Sequence, residues 1–345
     1  MKKLVIAVAL VGLLAGACSS SSTKAQGSAG VLRLGVFPNL THSPGLIGIT
    51  QKILTKDLAP TQVKIVPFTS GSEASSALAS GSIDACYIGP NPAVSLYEKT
   101  NGAFVIVSGA TLGGAAFVIR NGSGISSPSD LKGKKIADPG IGNTQDVALR
   151  TWLHGHGLKA TDEGGNVTIV PLSSNSDSIT LMQNKQIDGA WQPEPYVSLL
   201  VSQGLGHVFV NEASLWPGGK FSTTNLLVSK TYLGAHADLV KKLVQANVDS
   251  IQYIQKNPQA AASAANAEVA KLGGKSLESS ALSRAWGEMT FTWDPDTSSI
   301  TTDAQRAYAL KDITTNPTNI SGLFDLSDLN AVLQSKGLPT VQVSG

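Results

Sequence analysis

Short runs of β-branched and apolar residues alternate with longer helix-forming stretches from residue 31 to about residue 230. Runs of the first kind predict strands, and stretches of the second kind predict helices. The predicted strands are residues 31–37, 63–68, 85–89, 103–108, 115–120, 134–138, 167–172, 189–192, 207–211 and 224–229. The predicted helices between them are residues 44–57, 71–80, 92–100, 144–157, 175–185 and 195–203. This alternation is typical of α/β proteins.

The pattern changes after residue 230, where no further strand is predicted. The C-terminal region is helical by period and composition, over residues 236–256, 258–272, 276–290, 302–315 and 325–335. The chain is therefore predicted to be an α/β protein with a helical C-terminal region.

An internal repeat is found when the chain is aligned with itself at an offset of 104 residues. Segment 63–84 aligns with segment 167–188 without a gap, and eight of the 22 paired positions are identical. After a slip of one residue the match continues, because Pro90-Asn-Pro-Ala-Val-Ser-Leu96 mirrors Pro193-Glu-Pro-Tyr-Val-Ser-Leu199. A duplicated unit of strands and helices predicts two α/β lobes.

Loops at the carboxyl ends of strands are where open α/β sheets bind their ligands. Each predicted lobe offers three such loops. They are residues 38–43, 69–72 and 89–92 in the first lobe, and residues 140–144, 173–176 and 191–195 in the second. Two lobes that face each other with these loops form a cleft.

The six loops carry hydroxyl and amide side chains ahead of predicted helices, and none of them contains Lys or Arg. These side chains are Asn39, Thr41, Thr69, Ser70, Ser72, Asn91, Asn143, Thr144, Ser173 and Ser174. Helix starts have free N–H groups that favour anions, so the cleft is predicted to bind an oxyanion through neutral groups. The many donors favour a sulfonate over a protonated phosphate, which needs an acceptor for its hydrogen. The alternative is that each residue only caps its own helix.

Three further loop residues have two interpretations each. His42 either donates to a bound anion or packs on an aromatic ring, and Trp191 is either a core aromatic or a wall of the cleft. Glu194 stands where the first repeat has Asn91. It either faces a cation, carried by the ligand or supplied by His42 or Lys220, or caps the following helix and faces solvent.

The composition excludes disorder and a nucleic-acid partner. With 345 residues, of which 42% are hydrophobic and 14% charged, the chain is long enough for about two domains. Lys and Arg number 26 against 24 Asp and Glu, so the basic footprint of a nucleic-acid-binding protein is absent. Gly219-Lys220 is followed by Phe221, which leaves no complete P-loop, and other common catalytic motifs are missing. No catalytic residue, cofactor or metal ligand is predicted.

The N-terminus reads as an export signal. Residues 4–17 are an apolar run behind Lys2 and Lys3, too short to span a bilayer and ending in small residues before Cys18. This order resembles a bacterial lipobox, in which Cys18 becomes the lipid-bearing first residue; the alternative is an ordinary cleavable signal. Residues 18–30 have the composition of a flexible tether. Cys86 is the only other cysteine, so no disulfide is predicted in the mature body.

Several motifs together resemble the nitrate, sulfonate and taurine family of ABC-transporter substrate-binding proteins. The resemblance rests on the signal with Cys18 and on four motifs of the body. They are Gly-Val-Phe-Pro-Asn-Leu-Thr-His42, Ala-Ser-Gly-Ser-Ile-Asp-Ala with Gly-Pro-Asn-Pro92, Asp130-Leu-Lys-Gly-Lys-Lys-Ile-Ala137 with Gly-Asn-Thr-Gln145, and Ile187-Asp-Gly-Ala-Trp-Gln-Pro-Glu-Pro195. It covers residues 31–258 and is loose beyond.

The resemblance implies a two-lobed periplasmic-binding-protein-like fold of type II, with lobes joined by hinge strands. The implied division is residues 1–17 as signal peptide, 18–30 as tether, 31–120 plus 223–345 as the first lobe and 121–222 as the second. The hinge strands would be 115–120 and 224–229. Carried over motif by motif, the implied ligand contacts are Asn39, Thr41, His42, Ser70, Gly71, Asn91, Asn143, Thr144, Trp191 and Glu194.

The resemblance also implies a function without chemistry. A monomeric lipoprotein outside the cell membrane would capture a small anion or zwitterion and deliver it to a permease and ATPase complex. Because related folds host other functions, an enzyme or a sensory lipoprotein, for instance one that handles a thiamine-precursor-like molecule, stays open as an alternative.

Overall fold

The computed structural model describes residues 30–317 and 320–343. The predicted signal peptide, Cys18 and residues 19–29 of the tether lie outside the described residues. The strands are β1 (Val31–Val36), β2 (Gln62–Pro67), β3 (Ala85–Ile88), β4 (Phe104–Gly113), β5 (Ala115–Arg120), β6 (Lys135–Asp138), β7 (Thr168–Pro171), β8 (Gly189–Pro193), β9 (Gly206–Asn211), β10 (Ser222–Ser229) and β11 (Met289–Phe291). The helices are α1 (Ser43–Thr50), α2 (Ile53–Asp57), α3 (Gly71–Ala79), α4 (Pro90–Lys99), α5 (Thr144–Gly155), α6 (Asp177–Gln183), α7 (Tyr196–Ser202), α8 (Lys230–Ala235), α9 (Ala237–Lys256), α10 (Pro258–Lys271), α11 (Ser279–Gly287), α12 (Thr297–Ala309) and α13 (Ser327–Ser335).

Two sheets divide the chain into two lobes, as the repeat predicts. The first sheet has the order β11-β4-β10-β3-β1-β2, and the second has the order β7-β6-β8-β5-β9. The triplets β2-β1-β3 and β7-β6-β8 are parallel and have the same order, so the duplicated sequence corresponds to a duplicated fold. In each sheet an antiparallel strand then pairs with the third member, β10 with β3 and β5 with β8.

The repeated Ile-Asp pair has the same structural task in both lobes. The Asp84 carboxylate accepts hydrogen bonds from the backbone N–H and the Nε of Arg33, at 2.8 and 3.0 Å. In the second lobe the Asp188 carboxylate accepts from the backbone N–H of Lys135 at 3.1 Å and from Arg120 at 2.8 Å. Asp84, just before β3, therefore holds that strand to β1, and Asp188, just before β8, holds that strand to β6.

Three of the C-terminal helices, α9, α12 and α13, pack on the first sheet. Neighbouring residues of β10 point to opposite faces of its sheet, so Leu226 packs in a core with Val244 of α9 and Leu333 of α13. Leu227 packs on the other face, in a core that includes Ile300 of α12. The first sheet is thus covered on both sides.

Three expectations about strands need correction. The predicted hinge strand 115–120 is β5, which lies wholly in the second sheet between β8 and β9. The chain instead crosses between sheets at Gly113-Gly114, where both φ angles are positive and the strand breaks, and again between residues 212 and 221. The other predicted hinge, 224–229, is part of β10 in the first sheet. Strands also do not stop after residue 230, because β11 pairs with β4 and forms an edge of the first sheet.

Candidate functional site

A cleft lies between the lobes at the carboxyl ends of their parallel strands. Its lining residues come from loops of both lobes and enclose a cavity of about 30 Å³. They are Phe37, Asn39, Thr41, His42, Thr69, Ser70, Gly71, Gly89, Pro92, Pro139, Asn143, Thr144, Gln145, Asn175, Pro193 and Thr223. Seven of the ten ligand contacts expected from the sequence lie together here.

The electrostatics of the cleft come from neutral groups. None of the lining residues is Lys, Arg, Asp or Glu. Three helices begin at this point, α3 at Gly71, α4 at Pro90 and α5 at Thr144. Helix starts carry partial positive charge and free N–H groups, so the cleft favours a small anion over a cation.

His42 is held as a neutral ring. It is 3% exposed and stacks on Phe37, with ring centroids 4.5 Å apart and an angle of 12° between the planes. Burial lowers the pKa of His42 to about 3. Within the described residues its Nδ1 has no hydrogen-bond partner. His42 therefore packs on an aromatic ring, as one interpretation predicts, and supplies no cation to the cleft.

Asn143 connects the two lobes across the cleft. Its Oδ1 accepts a hydrogen bond from the backbone N–H of Gly71, the first residue of α3, at 2.8 Å. Its Nδ2 donates to the carbonyl oxygens of Pro139 and Gly140 at 3.1 and 3.0 Å. In this closed arrangement the Asn143 amide is occupied by protein groups and acts as a latch between the lobes.

The remaining cleft candidates differ in how much of their hydrogen-bonding capacity is used. The Ser70 hydroxyl accepts from the backbone N–H of Glu73 and caps α3, at 3.3 Å. Asn39 precedes a short 3₁₀ turn and makes no such cap. Thr41 and Thr144 are buried with their side chains in the cleft lining. These two threonines are the hydroxyls best placed to bind a ligand.

The lobes approach so closely that one contact requires glycine. A Cβ atom built on Gly89 of the first lobe would lie 2.5 Å from Oγ1 of Thr144 in the second. Real Cβ atoms essentially never come this close to another heavy atom. A side chain at Gly89 would therefore hold the cleft open.

Asn91 and Trp191 lie outside the cleft. Asn91 lines a neighbouring groove beside α3 and α4, and its Nδ2 donates to the backbone carbonyl of Asp303 at 3.3 Å. Trp191 on β8 is fully buried and stacks on Phe117 at 5.3 Å, while its Nε1 donates to Glu212 at 2.7 Å. Trp191 is thus the core aromatic of its two interpretations.

Glu194 also faces away from the cleft. Its two carboxylate oxygens accept from the backbone N–H and the hydroxyl of Ser198, at 3.1 and 2.9 Å, so it caps α7. It is only 2% exposed rather than facing solvent, and burial raises its pKa to about 7. It lines a separate cavity of about 120 Å³ with Arg284 and Glu288. Its side-chain hydrogen bonds go to Ser198 rather than to His42 or Lys220, and it is not among the lining residues of the cleft.

Nine lining residues are not among the ligand contacts expected from the sequence, namely Phe37, Thr69, Gly89, Pro92, Pro139, Gln145, Asn175, Pro193 and Thr223. Phe37 supports His42, and the Thr223 hydroxyl donates to the carbonyl of Gly113 at 2.6 Å. Asn175 has a signal in the sequence, because the repeat pairs it with Gly71, which is among the expected contacts.

Comparison with known proteins places the chain in a family. A sequence profile of the NMT1-like family matches residues 26–270. The chain belongs to the NMT1-like family. The taurine-binding periplasmic protein of Escherichia coli K12 is 30% identical over 192 residues, which is 55% of this chain and 57% of that protein.

Solved structures of low sequence identity share the fold. The alkanesulfonate-binding protein of Xanthomonas axonopodis bound to MOPS has a TM-score of 0.71 at 18% identity, covering 86% of this chain and 98% of that one. The nitrate-binding protein of Synechocystis PCC 6803 also has a TM-score of 0.71, at 14% identity, covering 90% and 89%. The two-lobed periplasmic-binding-protein-like fold and the family resemblance are thereby confirmed.

Proposed function

We propose that this NMT1-like protein is the extracytoplasmic solute-binding lipoprotein of an ABC importer for a small oxyanion or zwitterion of the sulfonate, taurine or nitrate class. One observation carries the proposal: helix starts and neutral donors from both lobes converge on one cleft whose lining has no charged side chain. The taurine-, alkanesulfonate- and nitrate-binding relatives support it.

The chemistry of the cleft favours binding over catalysis. His42 is the only titratable side chain among its lining residues, and the pKa of His42 is about 3. A general base or acid works best when its pKa is close to the working pH. A ring that stays neutral and stacked on Phe37 suits recognition rather than proton transfer.

Ligand capture is proposed to proceed by closure of the lobes. Gly113-Gly114 and residues 212–221 are the two connections between the sheets, and we place the hinge there. The second lobe then begins at β5, before the boundary at residue 121 implied by the family resemblance. The bond between Asn143 and Gly71 forms only when the lobes meet.

Membrane attachment is proposed to come from lipid on Cys18. Within residues 30–317 and 320–343, no helix has the length and apolar character needed to cross a bilayer. The protein would work as a monomer and deliver its ligand to a permease and ATPase complex. Mass spectrometry of the mature N-terminus is expected to find diacylated Cys18; an unmodified cysteine would contradict the anchor.

The function is tested by calorimetry with a panel of sulfonates, taurine, nitrate, hydrogen carbonate and sulfate. At least one member is expected to bind and to raise the unfolding free energy, by about 2.7 kcal/mol at one hundred times Kd. Thr144→Ala should reduce the binding free energy of this ligand by about 1–3 kcal/mol, because the substitution removes a buried hydroxyl that bonds a charged group. Thr161→Ala, at an exposed threonine of the same lobe, is the control. Failure of the whole panel to bind would contradict the function.

A further inference from the structure

Asn175 is a buried residue whose side-chain oxygen is unused. It lies between β7 and α6, lines the cleft and is 6% exposed. Its backbone carbonyl is fixed, because it accepts from the hydroxyl of Ser178 at 2.7 Å. Its Oδ1 is buried, yet across the described ranges no donor reaches it. An unpaired buried acceptor is unfavourable, and a ligand that donates to it would remove this cost.

The repeat makes this oxygen distinctive. The equivalent residue of the first lobe is Gly71, which has no side chain and offers a backbone N–H to Asn143. At the same place the first lobe therefore presents a donor and the second lobe presents an acceptor. The two-fold similarity of the lobes is broken inside the cleft, at the point where it affects the ligand.

A second unpartnered polar atom lies in the same cleft. A neutral imidazole has one nitrogen that donates and one that accepts. The His42 ring is neutral, and its Nδ1 has no partner among the residues described. The cleft thus combines the donors of its helix starts with the Asn175 oxygen, which needs a hydrogen from the ligand, and with His42 Nδ1, which accepts or donates according to the tautomer.

We infer that Asn175 determines specificity by accepting a hydrogen bond from the ligand, which is therefore an oxyanion that carries its own O–H or N–H. This inference rests on the proposed function and narrows it. Nitrate and plain alkanesulfonates offer only acceptors, so they leave Asn175 without a partner. The donors in the loops favour a sulfonate over a protonated phosphate, and the Asn175 oxygen adds a preference for ligands that carry an O–H or N–H of their own.

The test uses pairs of anions that match in size and charge but differ in one donor. Hydrogen carbonate and nitrate are both small planar monoanions with equal numbers of heavy atoms. 2-Hydroxyethanesulfonate and propane-1-sulfonate form a longer pair of monoanions with equal numbers of heavy atoms. Isothermal titration calorimetry of the full chain at mildly alkaline pH measures Kd for all four.

The member with the donor is expected to bind about tenfold more tightly in at least one pair. Asn175→Ala should bring this ratio close to one, while Asn166→Ala, at an exposed asparagine of the same lobe, should preserve it. Thermal unfolding of Asn175→Ala verifies that the variant is folded. Asn175→Gly, which copies the first lobe, provides a second variant with the same expectation.

The outcomes separate the inference from the function. Equal affinity within both pairs, or tighter binding of nitrate and propane-1-sulfonate, would overturn the role of Asn175 while preserving anion capture. A donor preference that persists in both Asn175 variants would also overturn it. If none of the four anions binds, the inference is overturned, whereas the proposed function is contradicted only when the whole panel of sulfonates, taurine, nitrate, hydrogen carbonate and sulfate fails to bind.

Discussion

Removing the Asn143 latch is expected to open the ligand-free protein. Of the three hydrogen bonds of this side chain, only the bond to Gly71 joins the lobes; those to Pro139 and Gly140 lie within the second lobe. The two bonds within the lobe are therefore present whether the cleft is open or closed. Asn143→Ala removes one bond from the balance between closed and open forms, worth about 0.5–1.5 kcal/mol. The equilibrium should shift towards the open form by about 2- to 12-fold.

The opening is measured as a distance between spin labels on the two lobes. Ser80 and Gln186 are exposed and lie just beyond the ends of corresponding helices, so cysteines at these positions accept the labels. Cys86 is fully buried and does not compete, and Cys18 is replaced by serine. Longer distances are expected for Asn143→Ala than for the parent protein and for Asn166→Ala.

The same variant tests the link between closure and binding. If the ligand binds only when the lobes close, its affinity should fall by the same factor by which the closed form loses population. A distance distribution identical to that of the parent protein would refute the latch. An opened protein with unchanged affinity would show that closure and binding are not coupled through Asn143.

Three buried contacts give further predictions. The pKa of Glu194 is about 7 when folded and 4.5 ordinarily, so the folded state binds more protons between these values and loses stability as pH rises. Glu194→Gln should remove this loss of unfolding free energy, which is worth up to about 3 kcal/mol at pH 8 and little at pH 5. If the unfolding free energies of the parent and the variant, measured in urea, change in parallel with pH, the prediction is contradicted. Gly89→Ala should lower the ligand affinity about tenfold, because the new Cβ at residue 89 clashes with Thr144 only when the lobes close. The double variant Gly89→Ala with Thr144→Gly should partly restore closure of the lobes, measured by solution scattering. Unchanged ligand affinity of Gly89→Ala alone would disprove the contact between residues 89 and 144. Trp191→Phe should lower the unfolding free energy by about 2–4 kcal/mol, since it leaves a void and removes the donor to Glu212. Ligand affinity should stay the same, and a large loss of binding by a stable variant would return Trp191 to the cleft.

The architecture is well encoded in the sequence because a duplication leaves a pattern that a single copy does not. The segments around Asp84 and Asp188 match since both residues tie strand starts in the same way. Equivalent loops then fall at equivalent strand ends, which brings Thr41 and Thr144 into one cleft. Residue type and repeat position suffice for this much of the site.

Side-chain direction is what the sequence leaves open. Trp191 and Glu194 are only three residues apart in one loop motif, yet one enters the core beside Phe117 and the other caps α7. Their directions depend on where β8 ends and α7 begins, and a difference of one residue in either boundary would redirect both. The slip of one residue in the repeat falls just before this motif, so comparison with Asn91 does not settle it.

The crossing between lobes does have a signal in the sequence. Two apolar runs predict separate strands at 103–108 and 115–120, and Gly113-Gly114 stands directly before the second. Paired glycines typically mark a break in a strand. The short β11 has no comparable signal, because three residues at an edge are stabilised by pairing with β4 rather than by their own pattern.

The two connections between the lobes lie side by side. The backbone N–H of Gly113 donates to the carbonyl of Phe221 at 3.0 Å, so the chain leaves the first sheet and returns to it at nearly the same point. The second lobe is therefore an inserted domain, and the first lobe is the host into which it is inserted. Its ends require only a short bridge, so we expect that a lobe from another family member could replace it without altering the strand order of the host sheet. The protein is thereby a natural scaffold for chimeras in which one lobe, and with it half of the cleft, is exchanged as a unit.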